Sequence, residues 1–105
     1  MPPKRRLRKI VDEESLVSCI NGPGLVRKEV WEDGSGKVVR YNLAFINHFM
    51  TASDRGRVLG YDNAHGEPHR HFFGRVYKAP EEDYDAVVAR FLDEVAVLRR
   101  QKEMR

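Results

Sequence analysis

The fold is decided by residues 25–50, LVRKEVWEDGSGKVVRYNLAFINHFM. Apolar and polar residues alternate from Leu25 to Glu32 and again from Lys37 to Met50, a pattern typical of strands with one packed face and one wet face. The turn between them contains Asp33-Gly34, a preferred pair in tight hairpin turns. Residues 25–50 therefore predict an antiparallel hairpin.

The segments on either side extend this hairpin into a sheet. Residues 57–63 and residues 69–78 are predicted as a third and a fourth strand, and short turn-forming stretches bound them. Residues 11–20 lie before a strong Asn-Gly-Pro-Gly breaker and are compatible with either a short helix or a further strand. We expect a meander of four strands, over residues 25–32, 37–50, 57–63 and 69–78.

The C-terminal third predicts one amphipathic helix. Pro80 suits a first helical position, and acidic residues follow it where the helix dipole favours anions. One apolar stripe recurs at steps of three and four residues, through Tyr84, Val87, Val88, Phe91, Val95 and Leu98. The predicted fold class is α+β, an antiparallel four-stranded meander with a C-terminal amphipathic helix packed on one face.

Length and composition set the limits of function. The chain has 105 residues, 41% of them hydrophobic and 33% charged, which suits one domain over residues 11–105. Its longest uncharged stretch, residues 41–53, is far shorter than the roughly 20 apolar residues of a membrane helix. No apolar run follows the basic start, and Cys19 is the only cysteine, so no internal disulfide can form. We expect a cytoplasmic protein that is not in a membrane.

The basic residues are concentrated at the N-terminus. Residues 1–10 carry five positive charges and no negative ones, around two prolines. We expect a mobile basic arm that binds nucleic acid through Lys4, Arg5, Arg6, Arg8 and Lys9. An acidic protein partner or a solvated tail that aids solubility would explain the same charges.

Reactive side chains are densest in residues 61–74, YDNAHGEPHRHFFG. Residues two apart on a strand share a face, so the pattern places His69, His71, Arg75 and Tyr77 together. Phe72 and Val76 would then face the core. Phe73 would lie on the polar face, where an aromatic ring can stack on a base, and Arg70 is a further candidate for nucleic-acid binding.

Three interpretations of this cluster compete. In the first, the histidines transfer protons during phosphodiester cleavage and Arg75 holds the phosphate. Tyr77 would support the phosphate, His65 would close over the face, and Asp62 would orient one imidazole. In the second, His65, His69 and His71 bind a metal, with Asp62 or Glu67 adding an oxygen, although the spacing matches no strict zinc signature. In the third, the histidines make ordinary surface hydrogen bonds.

The chain resembles a known family at residues 59–66, LGYDNAHG, followed by His69-Arg70-His71 and a C-terminal helix that ends EVAVLR. These features are similar to those of the small TumE-type toxins of bacterial toxin–antitoxin modules. The similarity covers residues 37–100 and departs at Glu67-Pro68, where histidine or aromatic residues are expected. The resemblance implies a growth-blocking toxin that cleaves RNA, with a helix-turn-helix antitoxin from the same operon as its partner.

Together the residues and the resemblance predict a toxin that acts as an endoribonuclease by histidine acid–base catalysis, with no metal and no cofactor. The alternative is a non-catalytic nucleic-acid-binding or regulatory protein that uses the basic ends and the same polar face. The sequence leaves a homo-oligomer open.

Overall fold

A computed structural model describes residues 6–64 and 66–101. These residues form six strands, β1 (Arg8–Val17), β2 (Gly24–Glu32), β3 (Val38–Ile46), β4 (Arg57–Asp62), β5 (His69–Phe72) and β6 (Arg75–Lys78). All neighbours are antiparallel, and the strand order in the sheet is the order in the chain. One helix, α1 (Tyr84–Leu98), follows the sheet and contacts β3 and β4. The α+β class and the antiparallel meander are confirmed, but the sheet has six strands instead of four.

The helix divides the sheet into two faces, which we call the helix face and the open face. Directly paired residues of antiparallel strands carry their side chains on the same side. Leu43 pairs with Tyr61, and Phe45 pairs with Leu59, and all four are buried beneath α1. The residues between them belong to the open face.

The helix itself forms as its pattern predicts, with a later start. Val87, Phe91, Val95 and Leu98 are buried, which confirms the apolar stripe. The Asp83 carboxylate accepts a hydrogen bond from the Ala86 N–H at 2.9 Å and caps the first turn. The expectation that Pro80 occupies the first helical position is therefore wrong, because α1 begins at Tyr84.

The first strand is longer than expected. The helix alternative for residues 11–20 is wrong, because residues 8–17 pair with β2 over nearly their full length. Arg8, Lys9 and Ile10, which were expected in the mobile arm, belong to this strand. The expected boundary of the arm at residue 10 is therefore wrong, because the sheet begins at Arg8. Residues 1–5 of the arm lie outside the described residues.

The predicted strand over residues 69–78 is split by a turn. Phe73 and Gly74 both have positive φ, 49° and 84°, as in the two-residue type I′ turn that closes hairpins. Phe72 therefore pairs with Arg75, and His71 pairs with Val76. This turn reverses the chain, so residues 75–78 do not continue the alternation of residues 69–72.

Candidate functional site

The open face carries a row of polar side chains that crosses the whole sheet. The pairing register aligns one residue from each strand in this row: Asp12, Glu29, Asn42, Asp62, His69 and Lys78. Above its middle lies a groove of about 620 Å³, a volume typical of ligand sites. The groove is lined by Glu29, Trp31, Arg40, Tyr41, Asn42, Arg57, Asp62, Ala64, His69, His71 and Val76.

Four side chains form a hydrogen-bonded chain, and three of them, Arg57, His71 and Asp62, line one side of the groove. Asp54 Oδ2 accepts from Arg57 Nε at 2.7 Å, and Arg57 Nη2 lies 3.1 Å from His71 Nδ1. His71 Nε2 lies 2.7 Å from Asp62 Oδ2. A guanidinium can only donate, so Nδ1 is the acceptor and Nε2 carries the proton that Asp62 accepts. His71 is thus held as a neutral imidazole in one orientation.

Arg57 reaches this side of the groove because of two local features. A β-bulge between β3 and β4 shifts the pairing after Phe45, so that Ile46 faces Arg57 and Val58 is the extra residue. Gly60 then leaves room for the arginine side chain, since a Cβ at this position would lie 2.9 Å from Arg57 Cδ. The glycine therefore lets the guanidinium lie across β4 toward His71 on β5.

His69 differs from His71 in its hydrogen bonding. It pairs directly with Asp62 in the register, so the two side chains project from the same face. Its ring has no hydrogen-bond partner among residues 6–64 and 66–101, although it lines the groove. A half-buried imidazole whose two nitrogens are bonded by no described residue is available to a ligand as donor or acceptor.

The opposite end of the groove is built around Trp31. Lys9 Nζ lies 5.1 Å from the centroid of its ring, and the Arg40 guanidinium carbon lies 4.8 Å from it, both within the range of cation–π attraction. Next to Trp31 on the open face, Glu29 accepts hydrogen bonds from Lys9 at 2.7 Å and from Asn42 at 2.9 Å. The hydrogen bond from Lys9 lowers the pKa of Glu29, with Asn42 adding to the effect, so this carboxylate is ionised at neutral pH.

The structure separates the predicted catalytic residues. His69, His71 and Asp62 come together on the open face, whereas Arg75 and Tyr77 pair with helix-face residues Phe72 and Arg70 and lie on the other side. The grouping of Arg75 and Tyr77 with the histidines is therefore wrong. Val76, expected in the core, is 59% exposed and lines the groove instead.

Two residues predicted to contact nucleic acid, Arg70 and Phe73, make their contacts with residues of the helix face. Arg70 donates to Glu94 on α1 at 2.5 Å and to the Tyr61 hydroxyl at 3.1 Å, so its charge is matched within the sheet–helix contact. Phe73 lies in the turn and packs edge-to-face on Phe72, with centroids 4.7 Å apart. The expectation that Phe73 lies on the polar face beside His71 is wrong, and Arg70 points away from the groove. The predicted contact of either residue with nucleic acid stays a prediction.

The remaining predicted residues lie at the N-terminus or in the loop before β5. Arg6 is exposed, and Arg8 is exposed with its Nη2 4.0 Å from Glu32. Lys9 is engaged by Glu29 and Asp12. Lys4, Arg5 and His65 lie outside the described residues, so their predicted roles are untested.

The sequence did not predict the groove-lining residues Glu29, Trp31, Arg40, Asn42 and Arg57, or Asp54, which accepts a hydrogen bond from Arg57. The hairpin turn at residues 33–36 contained part of the missing signal, because it fixes a register in which Glu29 faces Asn42 and Trp31 faces Arg40. Arg57 had no such signal. Strict alternation from Asp62 places it on the helix face, and only the bulge turns it over.

Two properties of the described residues bear on the alternatives. Within residues 6–64 and 66–101, no group of three or more His, Cys, Asp or Glu side chains is placed to hold a metal ion. The proposed ligand His65 is not among them, so this finding does not test the three-histidine hypothesis. No helix in the described part of the chain is long and apolar enough to span a membrane.

The chain was compared with known proteins in three ways. A scan against protein-family models, a search of curated proteins and a search of solved structures each gave no match. The groove and the sequence resemblance are therefore the two observations that bear on function.

Proposed function

We propose that the open-face groove is the active site of an endoribonuclease, and that the chain acts as the toxin of a toxin–antitoxin module. The observation that carries the proposal is the convergence of an unengaged imidazole, His69, with a second imidazole that is already oriented by a carboxylate and a guanidinium. RNA cleavage needs a base, an acid and a cation for the phosphate, and this groove supplies all three. The toxin role comes from the TumE-type resemblance.

The hydrogen-bond chain supports one role in the reaction for each of Arg57, His71 and His69. Arg57 binds the scissile phosphate through its forked donors, and its shift toward the phosphate frees His71 Nδ1. His71, held by Asp62 through Nε2–H, then accepts the proton of the ribose 2′-hydroxyl. The 2′-oxygen forms a bond to phosphorus while the bond to the 5′-oxygen breaks. His69 donates a proton to that leaving oxygen, which leaves a 2′,3′-cyclic phosphate and a 5′-hydroxyl.

The decisive variant is His69→Ala, because His69 has no structural partner in the described chain. Loss of one proton-transfer group should lower the single-turnover cleavage rate by roughly 10²–10⁴-fold. The stability of this variant should stay within about 0.5 kcal/mol of wild type, since no hydrogen bond to the described part of the chain is removed. Tyr77→Phe, on the helix face of the edge strand, is the matched control and should cleave at the wild-type rate. Growth arrest on induction should follow the same order.

Two other outcomes would replace the proposal. Full cleavage by folded His69→Ala would remove this imidazole from the chemistry. Cleavage that is abolished by a chelator and restored by zinc would favour the metal-binding alternative. Induction with and without the adjacent gene tests the predicted antitoxin, which should abolish growth arrest.

The second candidate function is nucleic-acid binding without catalysis, and the exposed Arg6 and Arg8 favour it. A protein that neutralises about four phosphates through this end should show a log–log salt slope of roughly −3 on single-stranded RNA. If RNA is bound with this slope but never cut, and the histidine variants bind normally, the binding role replaces the enzymatic one.

A further inference from the structure

The Trp31 end of the groove presents hydrogen-bond acceptors side by side. The Glu29 carboxylate accepts from Lys9 and Asn42, and each of its oxygens retains capacity for another hydrogen bond. Asn42 donates its amide N–H to Glu29, which fixes the amide orientation and leaves its Oδ1 as an acceptor. This oxygen accepts no hydrogen bond from any described residue. A ligand that fits here must offer donors.

Among RNA bases, guanine matches this requirement best. Its Watson–Crick edge carries two neighbouring donors, N1–H and the N2 amino group. Adenine and cytosine place a ring acceptor beside their single amino group, and uracil has one donor between two carbonyls. An ionised carboxylate next to an amide oxygen repels those acceptors and pairs with both guanine donors.

A flat surface for the base lies beside these acceptors. The Arg40 guanidinium is held over the Trp31 ring, and Arg40 is itself exposed at the groove. Guanidinium planes stack on bases in RNA complexes. Arg40 lies two residues from Asn42 on β3, so the stacking surface and the acceptors belong to one side of the sheet.

We infer that Glu29, Asn42 and Arg40 form a subsite for a guanine base of single-stranded RNA, an inference that rests on the proposed action on RNA. The same groove continues from this subsite to Asp62 and His69. The subsite therefore selects which nucleotides are brought to the proton-transferring residues.

Binding can be measured without cleavage. The probe is a short 2′-O-methylated oligouridine with one central guanosine, inosine or adenosine, whose blocked 2′-oxygen prevents the reaction. Trp31 is the only tryptophan, so its fluorescence reports occupation of this end of the groove. The guanosine probe should bind about 5- to 150-fold more tightly than the adenosine probe, the range of one bidentate base contact. Inosine, which lacks the N2 amino group, should fall between them.

Two variants test which residues carry the preference. Glu29→Gln replaces one acceptor oxygen with a donor and should reduce the guanosine-to-adenosine affinity ratio toward one. Asn42→Ala leaves the Lys9–Glu29 ion pair intact and should reduce the ratio as well. The control is Glu14→Gln, because Glu14 is also an ion-paired glutamate, 2.5 Å from Arg27, but does not line the groove. It should keep the wild-type ratio.

The outcomes separate the subsite from the enzymatic proposal. Equal affinity for the guanosine and adenosine probes, in a protein that cleaves RNA, would overturn the subsite and leave the nuclease intact. An unchanged guanosine preference in folded Glu29→Gln and Asn42→Ala would also overturn it. A Glu29-dependent guanosine preference in a protein that cuts no RNA would support the subsite and overturn the nuclease.

Discussion

The same two strands, β4 and β5, build two polar clusters on opposite faces of the sheet. On the helix face, Tyr61 donates to Glu94, and Arg70 bonds both of them. On the open face, Asp62 and Arg57 hold His71. The two clusters differ in what remains unsatisfied. In the helix-face cluster the polar groups bond one another, whereas the open-face chain adjoins a groove and the His69 imidazole, which no residue of 6–64 or 66–101 bonds.

Burial alone would not separate the scaffold from the site. The side chains of His71 and Asp62 are 14% and 15% exposed, whereas those of Arg70 and Glu94 are 27% and 28% exposed. The more enclosed of these two hydrogen-bonded pairs therefore belongs to the candidate site. The useful distinction is spare hydrogen-bonding capacity that faces a cavity, and that capacity is found on the open face. Variants of the two faces should consequently affect different properties.

The largest expected effect on stability is at Glu94. Glu94→Ala removes the carboxylate that accepts hydrogen bonds from both the Tyr61 hydroxyl and the Arg70 guanidinium. Tyr61 is only 2% exposed, so water cannot easily replace the lost acceptor. The free energy of unfolding should fall by about 1–3 kcal/mol, the cost of unsatisfied buried polar groups. Chemical denaturation measures this fall, and the neighbouring exposed Asp93→Ala should change stability by less than about 0.5 kcal/mol. Equal effects of the two variants would show that the helix-face cluster is not structural.

A smaller effect is expected from alkaline pH. Burial raises the pKa of Tyr61 from 10.0 to about 12, and the Glu94 carboxylate contributes in the same direction. An unfolded tyrosine ionises first as the pH rises, so this stabilisation is complete below pH 10 and is lost as the pH rises toward 12. Stability should therefore decline across this window.

Tyr61→Phe tests the assignment of that decline, because it removes the ionisable hydroxyl and leaves the ring. Denaturation curves at several alkaline pH values should show a shallower loss in Tyr61→Phe, while the exposed Tyr77→Phe should behave as wild type. Burial also raises the pKa of Tyr41 and Tyr84, so part of the loss should persist. An identical loss in Tyr61→Phe and wild type would be inconsistent with a closed helix-face cluster.

The sequence predicted the elements with strong periodicity and missed those that depend on single backbone conformations. The β2–β3 hairpin and the apolar stripe of α1 followed from alternation and turn chemistry. The turn at Phe73 could not be predicted, because the Asn or Asp that usually marks a first turn residue with positive φ is absent. Because of this turn, Arg75 and Tyr77 lie on the helix face. Val76 lies beside His71 on the open face instead.

The residues of the candidate site were therefore predicted in part. Asp62, His69 and His71 lie together because Asp62 pairs with His69 across two neighbouring strands, and His71 lies two residues from His69 on the same strand. The cationic residue of the candidate site, Arg57, was not predicted. It reaches His71 because of the bulge at Val58 and the space over Gly60. Bulges follow from how a strand meets its partner, and a single strand's pattern does not contain that information.

Arg57 and Arg75 lie on opposite faces of the sheet, so their variants distinguish an active site on the open face from one on the helix face. In single-turnover RNA cleavage, Arg57→Ala should lower the rate by about 10²–10³-fold, the usual effect of losing one donor to the reacting phosphate. Arg75→Ala, an equal loss of charge from the opposite face, should leave the rate within about twofold of wild type. Arg57→Lys should recover little, because it lacks the forked donors. A large loss in Arg75→Ala with full activity in folded Arg57→Ala would contradict an active site on the open face.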